Sequence, residues 1–220
     1  MAHLPITHSE VPIRLFKSNY LEFFTHIHPA VIVIIWLPVA IYFMTRAVLT
    51  RAAGVSALYL PAGFLFGLFL WTFTEYTLHR FVFHYEPRTP LQERIIFLFH
   101  GIHHAQPQCV TRLVMPPAVS IPGGLIYYGL LSLILGTLLG IPQWIGPIIS
   151  GLISGYLVYD LTHYATHHFP MRQGFLKFLK RYHMQHHYKT PNQRYGVSSP
   201  LWDLVFGTFP KEESRAAEAR

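Results

Sequence analysis

Charge is scarce in this 220-residue chain. Asp, Glu, Lys and Arg together make up 12% of it, about half their share in an ordinary soluble domain. Hydrophobic residues account for 51% and mean hydropathy is +0.31, which points to a membrane protein. Cysteine is nearly absent. Cys109 alone excludes an intramolecular disulfide, an iron–sulfur cluster and a thiolate zinc site. Acidic residues number ten against seventeen Lys and Arg, a net charge of +7. The basic residues flank apolar runs instead of forming an aromatic-interleaved stripe, which is ordinary membrane topology signal, so no nucleic-acid partner is expected. The first 28 residues lack the compact apolar core of a secretory leader.

Long uncharged runs stand in place of charge. Pro29–Thr45 and Val55–Thr74 are the first two, and Leu113–Tyr159 contains no Asp, Glu, Lys, Arg or His. As one helix at 1.5 Å per residue that last run would be ~70 Å long, over twice the hydrocarbon core of ~30 Å. It has to fold back, and Gly140-Ile141-Pro142 is the natural reversal. The expected fold is an all-α integral membrane protein, a single domain over 1–220, with spans near 29–45, 55–74, 119–139 and 144–161. Residues 79–112 and 162–210 would form a helical cap. An even number of crossings puts both termini and the segment between spans two and three on one side. All but two of the seventeen Lys and Arg fall there, the exceptions being Arg46 and Arg51, and the positive-inside rule makes that side cytoplasmic. A re-entrant hairpin over the last apolar run would keep the same sidedness.

Histidine is the other excess. Eleven of the fifteen lie in four groups: His79-x4-His84, His100-x2-His103-His104, His163-x3-His167-His168 and His183-x2-His186-His187. Imidazole is the commonest ligand for zinc, iron and copper, and residues three and four apart share a helical face. One ion takes about four to six ligands, so this many convergent rings implies two ions. The expected ligands are His79, His84, His100, His103, His104, His163, His167, His183, His186 and His187. His168 is left open, because His167 already holds the position one turn after His163. His79 and His84 lie five apart, about 140° around an α-helix. Either that helix ends near Phe83 or the two rings serve different ions. His3, His8, His26 and His28 read as isolated interfacial side chains. Glu75 and Asp160 precede His79 and His163 by about a turn, placed to accept the second N–H of a ligating imidazole. Imidazole suits iron, zinc and copper alike. Iron is favoured because unactivated lipid C–H bonds need oxygen chemistry, and zinc could occupy the site in a purified sample. A metal transporter would place its ligands within the spans, where the apolar runs hold no histidine.

Taken in order, HRFVFH (79–84), HGIHH (100–104), YDLTHYATHH (159–168) and HMQHH (183–187) resemble the fatty acid hydroxylase/sterol desaturase superfamily, most nearly its fatty acid 2-hydroxylases. The tail YGVSSPLWDLVFGTFP (195–210) and the segment IIWLPVAIY (34–42) resemble it too, so the likeness runs roughly from residue 20 to 210. The resemblance implies a membrane diiron oxygenase in which the ten histidines hold two iron ions. Dioxygen would insert a hydroxyl at the carbon beside the carbonyl of a lipid acyl chain. Tyr159, Asp160, Tyr164, Tyr195, Trp202 and Asp203 would line or brace the site. A sterol or carotenoid hydroxylase, or an acyl desaturase, is the alternative on the same centre. The 28 residues ahead of the first span are too few for the cytochrome b5 domain that many eukaryotic relatives carry. A separate donor of cytochrome b5 or ferredoxin type is therefore expected, with a bacterial inner membrane as the setting, ahead of the endoplasmic reticulum. The basic face would also attract anionic membrane lipid.

Overall fold

A computed structural model describes residues 6–210, and every regular element among them is helical. A short helix α1 (Asn19–Phe23) precedes α2 (Pro29–Leu49), and α3 (Tyr59–Thr77) runs on into a π-helical segment, Leu78–Phe83. Next come α4 (Pro90–Ile96), a second π segment (Phe97–Gly101) and α5 (Ile102–Ala105). α6 (Pro117–Leu131) is extended by π turns over Ser132–Leu138, and α7 (Ile145–His168), α8 (Gly174–Tyr188) and α9 (Leu201–Val205) complete the chain.

Local chemistry sets several of these boundaries. The His28 ring accepts the Ala30 N–H at the start of α2, and proline stands in the first turn of α2, α4 and α6, where its missing N–H costs nothing. The reversal expected at Gly140-Ile141-Pro142 is present: Gly140 takes φ +65°, a left-handed conformation that favours glycine.

Three stretches are long and apolar enough to cross a membrane: Pro29–Leu49, Val110–Leu138 and Pro142–His168. They correspond to the spans expected at 29–45, 119–139 and 144–161. The helix expected over 55–74 begins at Tyr59 and continues to Thr77. Its last turn, Thr-Glu-Tyr-Thr, is polar and packs on the C-terminal segment that holds Val197, Ser198 and Thr208, with Glu75 3% and Tyr76 1% exposed.

α7 is the central element. Two thirds of its most apolar window is buried (67%), against 11% for the α6 stretch. Lipid tails are as apolar as leucine, so helices in a bilayer associate by close packing. Glycine permits it here. A Cβ at Gly151 would lie 2.0 Å from the Phe64 carbonyl oxygen of α3, and one at Gly67 would lie 2.1 Å from that of Ile148. On the other flank Ile32, Trp36 and Ala40 of α2 join Ile148, Ile149, Leu152 and Ile153 of α7 in the buried core. Fixing α3 and α7 against each other fixes the bases of two histidine-bearing segments, since His79 follows α3 directly and His163 and His167 lie in the last turns of α7.

Candidate metal centre

The ten expected histidines come together, in two sets of five. One contains His79, His84, His100, His104 and His186; the other contains His103, His163, His167, His183 and His187. Within each set the five candidate ligand atoms lie within 4.8 Å of one another. His168 belongs to neither: its ring packs on Tyr164 at 4.7 Å between centroids.

The two sets follow from helical phase. The π segment after α3 bonds the His84 N–H to the His79 carbonyl at 3.1 Å. This i→i+5 pattern brings residues five apart toward one face, and the helix ends at Phe83, as one of the two sequence-based alternatives had it. Both rings reach the same set, so the other alternative, service to different ions, does not apply. The two HxxHH groups behave alike. Residues one turn apart go together, His100 with His104 and His183 with His187, while the intervening third residue crosses over. His103 joins the second set and His186 the first. The stacked rings of His104 and His187, 4.1 Å between centroids, bring the two sets into contact.

The donor geometry fits a metal. In the first set Nε2 of His100 lies 3.1 Å from that of His79 and 2.9 Å from that of His104, and His84 and His186 are 3.1 Å apart. In the second set His163, His103, His187, His183 and His167 form a chain of Nε2 contacts of 2.9 to 3.0 Å. Nitrogens about 2.05 Å from one ion lie about 2.9 Å apart at right angles and about 3.35 Å apart at tetrahedral angles. A ring nitrogen offers one in-plane site, either N–H or lone pair, so His103, His183 and His187 cannot satisfy two neighbours each by hydrogen bonding. A cation shared by five lone pairs satisfies them all. Three rings have their tautomer set by carbonyl oxygens, which only accept. The Nδ1–H groups of His79, His163 and His186 donate to Tyr195 (2.5 Å), Leu113 (3.1 Å) and Gln193 (2.7 Å), turning each Nε2 lone pair inward. Burial pushes His79 down to about 4 and His104 to about 3. His84, His100, His103, His183, His186 and His187 are lowered by the same loss of hydration, reinforced by neighbouring rings. The rings are therefore neutral and available as ligands at pH 7.

The carboxylates stand one step further out than expected. Glu75 accepts from the Val197 N–H (2.5 Å), the Ser198 N–H (2.8 Å) and the Ser198 hydroxyl. Asp160 accepts from the Met115 N–H at 3.0 Å. Asp203, 0% exposed, accepts from the N–H groups of Tyr195 (2.9 Å) and Gly196 (2.7 Å) and from the Thr208 hydroxyl (2.6 Å). Each secures a strand of backbone, and that backbone's carbonyls hold the imidazoles: Tyr195 for His79, and Leu113, two residues before Met115, for His163. The Tyr159 ring stacks on His163 at 6.0 Å and Tyr195 lies against His79 and His84. Tyr164 and Trp202 are further out, Trp202 donating to Thr72. Sequence reasoning missed a cluster at the N-terminal edge. His26 is no isolated interfacial residue, since Glu22 binds both it (3.1 Å) and Arg112 (2.8 Å). The available signal was Arg112 itself, the last charge before the long uncharged run.

A model of the fatty acid hydroxylase family matches residues 64–208, a segment containing all four histidine groups. The chain belongs to the fatty acid hydroxylase family. This hydroxylase is 36% identical over 217 residues to dihydroceramide fatty acyl 2-hydroxylase FAH2 of Arabidopsis thaliana, covering 99% of this chain and 88% of that one. It is 40% identical over 194 residues to the ceramide very long chain fatty acid hydroxylase scs7 of Schizosaccharomyces pombe, covering 87% and 53% respectively. The solved structure of full-length scs7p, with only its hydroxylase domain visible, superposes with a TM-score of 0.79 at 35% identity, over 89% of this chain and 71% of that one. The hydroxylase is thus an oxidoreductase, and neither the transporter nor the other lipid-oxidising readings gains support.

Two open spaces reach the histidines from different sides. A cavity of about 330 Å³ touches His100, His103 and His163 and is otherwise walled mainly by apolar side chains, among them Leu15, Phe16, Phe83 and Met115. A wider groove of about 620 Å³ reaches His84, His104 and His187, with Glu93, Arg94 and Lys189 along it. Rings of both sets face each space.

Proposed function

We propose that this hydroxylase is a membrane diiron monooxygenase that hydroxylates carbon 2 of a fatty acyl chain, free or carried by a sphingolipid. The observation that carries the reading is one juxtaposition. Two sets of five converging imidazoles, three of them with the Nε2 lone pair turned inward, abut an apolar cavity that touches both. Such a pair of iron ions supplies the dioxygen chemistry that an unactivated C–H bond needs. His79, His84, His100, His104 and His186 would hold one ion, and His103, His163, His167, His183 and His187 the other. The protein's own part is positional. Carbonyls of Tyr195, Leu113 and Gln193 orient the rings, and Leu15, Phe16, Phe83 and Met115 keep the cavity apolar beside them.

We further infer that residues 1–220 act as one membrane domain in which α3 is the fourth crossing, placing the histidines on the cytoplasmic face where nearly all Lys and Arg lie. A separate one-electron carrier of cytochrome b5 or ferredoxin type would reach the centre there. The deciding experiment is metal quantification after anaerobic purification, then single turnover with acyl lipid deuterated at carbon 2. About two irons per chain and loss of one label with a 2-hydroxyacyl product are expected. Full retention of label, with a new double bond elsewhere in the chain, would replace this reading by desaturation.

A further inference from the structure

A second cavity, about 170 Å³, lies deeper between the spans and shares four wall residues with the one beside the histidines: Phe83, Phe99, Met115 and Val119. From that shared neck it follows one face of α6, past Ser120, Gly123 and Gly124 to Tyr127, and ends on the buried core at Trp36 and Leu152. Val119 to Tyr127 covers about 12 Å of helix, the reach of nine or ten methylenes in a zigzag of ~1.5 Å bonds. The hydroxyl groups at this end are spoken for. Ser120 accepts from the Trp36 indole at 3.1 Å, and Thr74 and Tyr127 bond to each other at 2.6 Å. The Trp71 Nε1 is buried without a partner and inaccessible. The surface on offer is hydrocarbon, and its floor is rigid: a Cβ at Gly124 would already lie 2.8 Å from the Trp36 ring.

Resting on the reading of the site as an acyl 2-hydroxylase, we propose that this inner cavity takes the methyl end of the acyl chain, and that Gly123 and the Trp36–Tyr127 floor set the chain length accepted. With carbon 2 held at the histidines, the cavity beside them continues past the shared neck into this apolar space. Gly123 is the position where the length can be altered without disturbing the helix. It lines the cavity, its φ is not positive, and a Cβ there meets nothing within 4 Å. A leucine would fill space that the chain would otherwise occupy, one helical turn short of Tyr127.

The test is the 2-hydroxy product profile from an equimolar series of saturated fatty acids. Gly123→Leu is expected to shorten the preferred chain by about four carbons, one turn of α6. The ratio of longest to shortest products should fall ~tenfold, the usual penalty of overpacking an apolar site. Gly129→Leu, also in α6 and also with open space at its Cβ, should leave the profile unchanged. A profile unaltered by Gly123→Leu would overturn the proposal. Should that variant fail to fold, a fatty acid bearing a terminal diazirine, photolysed on the wild-type protein, decides instead. Label on α6 between 119 and 127 supports the pocket, and label only outside the inner cavity refutes it. Because crosslinking needs no turnover, it separates failure of the pocket from failure of the 2-hydroxylase reading, which the deuterium experiment addresses.

Discussion

A carbonyl oxygen cannot be protonated at any ordinary pH and cannot donate, so a ring held by one has its tautomer settled outright. His79, His163 and His186 are held in this way, and the carboxylates act through the backbone that carries two of those carbonyls, Tyr195 and Leu113. Asp203→Asn tests the arrangement. Asparagine keeps the shape but presents an NH2 group to the N–H of Tyr195 or Gly196. The expected cost is about 1–3 kcal/mol of stability and a 10–100-fold loss of metal affinity, read by thermal melting and chelator competition. Acid is the second test at this scale. His79 and His104 sit near 4 and 3 when folded and near 6.5 when unfolded. Below about pH 6.5 the unfolded chain therefore binds more protons than the folded one. Stability should be flat above that pH and decline as pH falls toward 4, with metal released over the same range. Calorimetry and metal analysis across a pH series would show it; a decline on the alkaline side would contradict it.

At the scale of elements, what could be read beforehand followed from periodicity and composition. Uncharged runs located the three helices apolar enough to cross a membrane, glycine before proline located the reversal, and histidine spacing located the rings that converge. Backbone hydrogen bonding that departs from the α pattern was not readable. Nothing in HRFVFH marks a π segment, so His79 and His84 looked incompatible with one face. Nor could the division of each HxxHH group be foreseen, because which set a ring joins depends on where its helix lies in space. The polar end of α3 is a related case: hydropathy ends the second uncharged run at Thr74, whereas the helix continues to Thr77, with Glu75 bonding to Val197 and Ser198, over a hundred residues away. The crossing of α3 and α7 gives the prediction proper to this scale. Gly151→Ala would set a methyl group against the Phe64 carbonyl and push the helices apart. It should cost about 1–3 kcal/mol and reduce metal content even though it lies far from every histidine. Normal metal content in this variant would mean that α3 and α7 do not position the centre.

At the scale of the molecule, each metal set draws on both halves of the chain. The first takes four rings from residues 79–104 and one from α8; the second takes four from α7 and α8 and one from α5. Bound ions should therefore clamp the halves together, since a ligand that binds only the folded state stabilises it. Removing metal with a chelator is expected to lower the melting temperature by on the order of 10 °C, and re-adding ferrous iron should restore it. The exchange of His103 and His186 carries a further consequence. An ion entering either set pins both α5 and α8, and the neighbouring rings on those helices then already face the other set. The ordering cost is met once, at the first binding event. Loading should be cooperative, with empty and doubly filled molecules prevailing over singly filled ones when iron is limiting, and native mass spectrometry would count them.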